Sequence, residues 1–355
     1  MSQEEMVVTI MAGGAGTRFW PLSTETRPKQ FLSLFSDQSL FQQTLARIEP
    51  MVKPERILVM TNAHFVPLVR KQAPQIPVEN IIAEPMRRDT AAAIALAALL
   101  VKQRFGDVTM GVLTADHVVE PTDAFLHALR SAQQEAQETK ALYTFGIEPD
   151  YPATGYGYLE LGEKTYEKEN LRHFRVHRFK EKPDLETALE YLDSGNYLWN
   201  SGMFVWKVGS ILEEIERQIP GHLKALSPAL ERDRKEGWSE ALRAAFESLP
   251  SISIDFAVME GAADVRALSA PFSWKDLGGW LSVEEYLDED PQHNAHRGKI
   301  AVLDAHSNLV FCEESEEIVA LVGVDNLVVV RAKGITLICP KGRSEEIKKL
   351  VKEVL

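Results

Sequence analysis

Apolar runs of β type recur along the first part of the chain, at Met6–Met11, Ile57–Thr61, Asn80–Ala83, Met110–Thr114 and Leu142–Gly146. Stretches with helical spacing lie between them, near Leu40–Glu49, Ala63–Gln72, Thr90–Arg104 and Asp123–Thr139. Alternation of this kind predicts an α/β fold with a mostly parallel sheet covered on both faces. Ala91–Val101 is apolar nearly all round, as a buried crossover helix must be, and Asp89 stands where an N-cap belongs.

Past Gly155 the rhythm changes. Strand-like pieces at Gly157–Leu161, Arg175–Phe179 and Met203–Trp206 alternate with helical ones at Leu185–Ser194 and Gly209–Gln218. They read as an elaborated lid around the same sheet. Lys224–Ser248 is charged and helical and is expected to pack on the outside. From Lys299 onward, Ile300–Leu303, Leu309–Cys312, Ile318–Val322, Leu327–Val330 and Ile335–Cys339 form short strands at near-even spacing. Asn308, Gly323, Asn326 and Gly334 separate them, which predicts a small β module or solenoid-like turn. Ser344 then caps a final amphipathic helix with Ile347, Leu350, Val351 and Val354 on one face. Asp288–His296, acidic and carrying Pro291, reads as the linker, so the domains are 1–290 and 291–355.

The chain has 355 residues, 45% hydrophobic and 26% charged, ordinary values for a globular protein with a large core. A net charge of −13 lacks the basic footprint of a general nucleic-acid binder. A local cationic pocket is still compatible with it. The two cysteines, Cys312 and Cys339, sit in apolar runs and read as core residues. The N-terminus has no signal-peptide pattern, and Ala91–Val101, the longest apolar stretch, is too short to span a bilayer. A cytoplasmic enzyme without membrane or nucleic-acid partners is expected.

The stretch "GGAGTRFWPLSTETRPKQF", Gly13–Phe31, follows the first strand. Gly13, Gly14 and Gly16 let a ligand approach the main chain, successive N–H groups form an anion-binding concavity, and Arg18 and Lys29 add full charges. A phosphate chain is the simplest occupant; an ordinary glycine turn would read the same from these glycines alone. The dinucleotide fingerprint fails because Phe19 stands at its third glycine, and no Gly-Lys-Ser/Thr triplet follows for a P-loop.

Five further stretches carry candidate chemistry. "EPMRRDTAA", Glu84–Ala92, opens a helix and suits an anion or a base edge, or is plain capping. "VLTADHVV" puts Asp116 and His117 at the C-terminal end of an apolar strand, where open α/β sheets bind ligands. A carboxylate such as Asp116 there is costly unless it is paired or bound to a cation, whereas His117 reads as a hydrogen-bonded structural histidine. "ATGYGYLE", with Gly155, Tyr156 and Gly157, suits a sugar or base face or is a hairpin. "FKEKP" offers Glu181 and Lys182 at a strand end, for sugar hydroxyls and a phosphate, or as a solvated charge run. "WNSGMFVW" supplies Asn200 and Ser201; "WKDLGGW" supplies Asp276 beside two glycines.

Together, in this order, "GGAGTR…PK", "EP…R.TA", "TADH", "TGYGY", "EKP", "NSG" and "D.GGW" resemble the sugar-1-phosphate nucleotidylyltransferases over nearly the whole chain. "FWPLS…RPKQFL" and "EP..R.TA..A" favour the short form of the mannose-1-phosphate guanylyltransferase branch, and "VGVDNLVVV" continues the likeness into the β module. Arg331 departs from the Asp of many relatives. The resemblance implies a Rossmann-like nucleotidyltransferase fold with a β-helix-like module. It implies GMP transfer from GTP to mannose 1-phosphate, giving GDP-mannose and pyrophosphate, and no isomerase activity. With that reaction Gly13, Gly14 and Gly16 wrap the triphosphate, Thr17 is a further substrate-binding residue, Arg18 holds the leaving pyrophosphate, and Lys29 reaches the phosphates from the same loop; the remaining roles follow from the resemblance. Lys182 neutralises the sugar phosphate, and Glu181 and Asn200 read mannose hydroxyls. Gly155, Tyr156 and Gly157 face the substrate. Gly13, Glu84, Arg88 and Thr90 surround the base, and Asp116 and Asp276 hold Mg²⁺. A homodimer through the β module is expected, with no catalytic group coming from it. The alternatives are another sugar 1-phosphate as acceptor, or a non-catalytic sugar-nucleotide sensor.

Overall fold

The structure, a computed structural model, describes residues 5–14, 16, 18–230, 237–314 and 316–354, the side chain of Val354 excepted. In chain order the first elements are β1 (Val7–Met11), α1 (Leu40–Ile48), β2 (Ile57–Asn62), α2 (Val66–Gln72) and β3 (Ile81–Glu84). Then come α3 (Asp89–Phe105), β4 (Thr109–Thr114), β5 (His117–Glu120), α4 (Thr122–Thr139) and β6 (Leu142–Ile147). The elaborated stretch holds β7 (Gly157–Lys168), β8 (Leu171–Glu181), α5 (Leu185–Ser194), β9 (Tyr197–Lys207) and α6 (Val208–Gln218). It continues through α7 (Pro220–Leu230), α8 (Trp238–Ser248), α9 (Ile254–Ala257), β10 (Val265–Ser269) and β11 (Ser273–Asp276). The C-terminal part holds β12 (Asp288–Glu289), β13 (Ala295–Arg297), β14 (Lys299–Leu303), β15 (Leu309–Cys312) and β16 (Ile318–Val322). β17 (Leu327–Ala332), β18 (Ile335–Pro340) and α10 (Ile347–Val354) follow.

These elements form two compact units interleaved along the sequence. The larger takes Met1–Gly13, Leu45–Ala115 and Val119–Trp274; the smaller takes Gly14–Thr44, Asp116–Val118 and Lys275–Leu355.

The larger unit is built on a nine-stranded sheet ordered β3-β2-β1-β4-β9-β6-β10-β8-β7. β1 pairs in parallel with β2 and β4, β2 with β3, and β6 with β10, so the sheet is mostly parallel as expected. β9 runs antiparallel between β4 and β6. Its hydrophobic run through Trp206 is that of a strand covered on both faces. The stretch read as a lid therefore also supplies a central strand. α3 is buried along Ala91–Ala98 and packs with Leu58, Met60, Trp206 and Phe246 in one core. Its many alanines let neighbouring helices come close while each large partner contributes roughly 1.5–3 kcal/mol by burial. α8 turns Trp238, Leu242 and Phe246 into this core, so the 224–248 stretch is half core rather than an outer layer; residues 231–236 of it lie outside the described residues. The expected cap also differs. Arg88 is the N-cap of α3, and Asp89 sits inside the helix with φ 62°, its Oδ1 accepting from Thr90 N at 2.8 Å.

In the smaller unit β13, β15 and β17 stack in parallel, as do β14 and β16, which is the pairing of a β-helix. The stretch expected as a linker belongs to it. Asp288 pairs with His296, and Asp290 Oδ1 accepts from the backbone N–H groups of Gln292 and Asn294 at 2.9 Å each. The acidic, proline-bearing composition was turn chemistry, not linker chemistry. At the other end, Lys341–Glu346 forms a 3₁₀ turn, so Ser344 precedes α10 without capping it. The module shares one core with the first loop: Phe19, Leu22, Leu32 and Leu34 pack with Trp280, Leu309, Phe311, Val328 and Ile347.

Candidate active site

In the smaller unit the glycine loop is shaped around Lys29. Gly16 has φ +43°, and a Cβ added there would come within 2.5 Å of Lys29 Cβ, so the position requires glycine. Gln30 Nε2 donates to Gly14 O at 3.0 Å and ties the loop down. Lys29 opens a short buried turn, Lys29–Phe31. Its ammonium donates to Asp276 Oδ1 and Leu277 O at 2.8 Å each and lies 2.9 Å from Asp116 Oδ2. Burial alone would lower its pKa, but the charges of Asp116 and Asp276 outweigh burial and raise it. Asp276 is pushed the other way: burial opposes its charge, yet the Lys29 ammonium holds it below the usual carboxylate range. His117 Nε2 stands 3.9 Å from both carboxylates. Arg18, half exposed, reaches Gly278 O at 3.4 Å and lies 3.8 Å from Glu345 Oε2. Arg18, Lys29, Asp116 and Asp276 line a cleft of about 320 Å³ together with Gly16, Phe19, Leu277, Gly278 and Lys348.

The larger unit holds a second set. Glu84 ends β3 and is buried; a Cβ on Gly13 would meet its Oε1 at 3.4 Å. Burial raises the Glu84 pKa to about 8, so the carboxyl is largely protonated near neutrality. At the other end of the sheet, a Cβ on Gly157 would come within 2.5 Å of Glu181 Oε2, so glycine there lets the carboxylate pack on the backbone. Glu181 pairs with Lys182, whose φ of 46° turns the chain at the end of β8. Asn200 sits in β9, buried, with its orientation fixed from both ends. Its Oδ1 accepts from Thr144 Oγ1 at 2.7 Å, and its Nδ2 donates to Asp255 Oδ1 at 2.9 Å. Burial, then the charge of Glu181, raises the Asp255 pKa to about 6. Tyr156 stacks edge-on against Trp199 and Trp274, with ring centroids 5.2 and 5.1 Å away. Gly155 has open space around it.

The fold thus brings Gly14, Gly16, Arg18, Lys29, Asp116 and Asp276 together across more than half the chain. Within the larger unit it brings Glu181 and Lys182 together and sets Glu84 beside Gly13. Arg88 and Thr90 do other work. The Arg88 guanidinium donates to Phe246 O at 2.6 Å and Glu247 O at 3.2 Å, and Thr90 Oγ1 accepts from Ile254 N at 2.8 Å. Both fasten the start of α3 to later backbone. Thr17 lies outside the described residues. Two residues escaped the sequence reading. Asp255 lies in the short helix α9, where a single acid in an apolar run gives no signal of its burial. Lys348 lies in the C-terminal helix, which was expected to give the site nothing; only tertiary packing reveals it.

The smaller unit's cleft is suited to condensed phosphates: backbone concavity, a guanidinium and a fixed ammonium. Among the described residues no cluster of three or more His, Cys, Asp or Glu is grouped to hold a metal. Asp116 and Asp276 nevertheless fit a hard divalent ion. Their oxygens converge on one buried positive charge, and Mg²⁺ takes one or two carboxylates and fills its shell with water and phosphate oxygens.

A family model described as nucleotidyl transferase matches residues 7–293, and one described as MannoseP isomerase/GMP-like beta-helix domain matches 298–354. The chain is 39% identical over 359 residues to a mannose-1-phosphate guanylyltransferase of Escherichia coli (strain K12), covering 100% of this chain and 74% of the relative. It is 39% identical over 356 residues to one of Sinorhizobium fredii, covering 99% and 68%. A crystal structure from Thermus thermophilus, described as a mannose-1-phosphate geranyltransferase, superposes with a TM-score of 0.87 at 34% identity, covering 99% of both chains.

Proposed function

The chain belongs to the nucleotidyl transferase family, and on that premise we propose that it transfers GMP from GTP to α-D-mannose 1-phosphate. The products are GDP-mannose and pyrophosphate. The carrying observation is the Lys29 ammonium fixed between Asp116 and Asp276 beneath a glycine loop that bears Arg18. A sugar phosphate oxygen is already an anion at neutral pH, so no general base is required. The oxygen attacks the α-phosphorus in line, the new P–O bond forms, and the bond to the pyrophosphate breaks. The obstacle is repulsion between two anions, so catalysis consists of positioning and charge neutralisation.

In this reading Gly14 and Gly16 wrap the triphosphate, Arg18 holds the leaving pyrophosphate, and Lys29 stays charged against the phosphates. Gly13 and Glu84 meet the base, on a turn that Arg88 and Thr90 keep in place. Glu181 and Asn200 read sugar hydroxyls, Lys182 meets the sugar phosphate, and Gly155, Tyr156 and Gly157 supply the facing loop. Nucleotidyltransferases of this family use a divalent metal. We assign Mg²⁺, held by Asp116 and Asp276, where it would neutralise phosphate charge. Along the sequence, residues 1–290 are assigned as the catalytic part and 291–355 as the β module, near the break between the family matches at 293 and 298, while in the fold Gly14–Thr44, Asp116–Val118 and Lys275–Asp290 form one compact unit with the module. A homodimer through the module, where Leu303, Ile318, Val322 and Ile338 are exposed, belongs to the same proposal, as does a cytoplasmic location. Among the described residues no helix is long and apolar enough to cross a membrane.

The test is pyrophosphate release in a matrix of nucleoside triphosphates against sugar 1-phosphates. GTP with mannose 1-phosphate is expected to give the highest kcat/KM. A larger value for another pair overturns the assignment, and light scattering that finds only monomer removes the dimer.

A further inference from the structure

α10 is anchored by its apolar side. Ile347 is buried and Val351, one turn on, is partly buried against the core that also holds Phe19, Leu277 and Trp280. That anchoring fixes which way the neighbouring residues face. Lys348 lines the same cleft as Gly16, Arg18, Lys29, Asp116 and Asp276. One turn earlier, Glu345 lies 3.8 Å from the Arg18 guanidinium, and its Oε1 would be 3.6 Å from a Cβ on Gly279.

The charges in this cleft are unevenly matched. Lys29 is held by two carboxylates, one more negative charge than it carries, and Arg18 faces Glu345. Among the described residues Lys348 has no carboxylate partner, although it sits on an acidic chain with a net charge of −13. The six charges sum to zero, but they are not equally engaged: an entering polyphosphate meets in Lys348 an ammonium that no carboxylate pairs among the described residues, and it comes from the C-terminal helix. We propose that Lys348 is a phosphate-binding residue of this enzyme, contacting the β- and γ-phosphates of the nucleoside triphosphate and the pyrophosphate they become. The assignment rests on the guanylyltransferase reading for its substrate. It goes beyond that reading in giving the C-terminal helix a direct part in holding the leaving group. An exposed ammonium acts as a screened point charge, so its contribution falls as salt rises.

The experiment compares wild type with K348Q, K348E and K348R, all at an exposed position that leaves Ile347 and Val351 in place. At low ionic strength K348Q and K348E are expected to raise KM for GTP about fivefold and tenfold or more. In the reverse direction they raise KM for pyrophosphate to match. KM for mannose 1-phosphate and for GDP-mannose changes less than twofold, and K348R restores wild-type values. The difference shrinks in high salt. Binding of inorganic pyrophosphate alone, measured by calorimetry, is expected to weaken at least fivefold in K348E. Equal pyrophosphate affinity in wild type and K348E, or equal KM for GTP, overturns the role of Lys348. If wild type itself makes no GDP-mannose, the functional reading falls instead, and the calorimetry still decides whether Lys348 binds condensed phosphate.

Discussion

Glu84 shows what burial does to a single group. Its carboxyl has an ordinary value of 4.5 when unfolded and about 8 in the folded chain, and desolvation is the cause. The folded state therefore keeps a proton that the unfolded state releases. The stabilisation this gives is complete below pH 4.5 and disappears as pH rises through about 8, up to roughly 5 kcal/mol in all. Glu84→Gln cannot ionise. Its denaturation midpoint is expected to match wild type at pH 5 and to exceed it at pH 9; parallel losses in the two proteins would show that Glu84 is not held neutral. The presence of an acid at this strand end was legible in "EPMRRDTAA", but its protonation was not, because composition carries no information about burial. The same limit applied to Asp89. A residue type suited to capping stood next to the helix start, yet Arg88 took the N-cap position and Thr90 was held by Ile254.

The β module shows what repeated elements add. Even spacing of short strands predicted a solenoid-like module, and parallel stacking of β13, β15 and β17 bears that out. What the spacing did not reveal is the polar seam inside. Asn294 and Asn308 are fully buried. Asn308 Nδ2 donates to Asn294 Oδ1 at 2.8 Å and to Val324 O at 2.9 Å, and Asn308 Oδ1 accepts from Leu327 N at 2.9 Å. One side chain thereby satisfies backbone groups of successive coils. The sequence reading had Asn308 only as a turn residue, since a separator and a seam asparagine look alike along the chain. Asn308→Ala removes the partner of Leu327 N–H and leaves Val324 C=O with only the longer 3.3 Å bond from His306 N, and is expected to cost about 3 kcal/mol or more. Exposed Asn326, with φ 56°, gives the contrast: Asn326→Gly is expected to change stability by under about 1 kcal/mol. Thermal denaturation of the two variants checks the pair; equal effects would mean the seam is not what holds the coils. Arg331, the departure from the family pattern, stays within the module, pairing with Glu317 Oε2 at 3.0 Å.

At the scale of the whole molecule, the glycine loop and the β module share a core although some 240 residues of chain lie between them. No hydrophobic period encodes such a pairing, which is why the parallel sheet and the phosphate motifs were legible and the interleaving of the two units was not. A chain stopped after Asp290 keeps Arg18, Lys29, Asp116 and Asp276 but exposes Phe19, Leu22, Leu32, Leu34 and Trp280. It is expected to bind a hydrophobic dye strongly and to lose pyrophosphate release altogether; near-normal turnover would show that the loop stands without the module. The interleaving also sets a timetable during synthesis. A ribosome adding about 5–20 residues per second needs roughly 10–50 s to travel from Thr44 to Lys275, and longer to reach Ile347. Throughout that interval the nascent larger unit can acquire its sheet, while the segment from Gly14 to Thr44 has no finished core to join. The phosphate loop is thus among the first residues made and the last to be assembled, so a stalled or nicked chain carries an apolar loop that chaperones can bind and no assembled cleft with which to bind GTP.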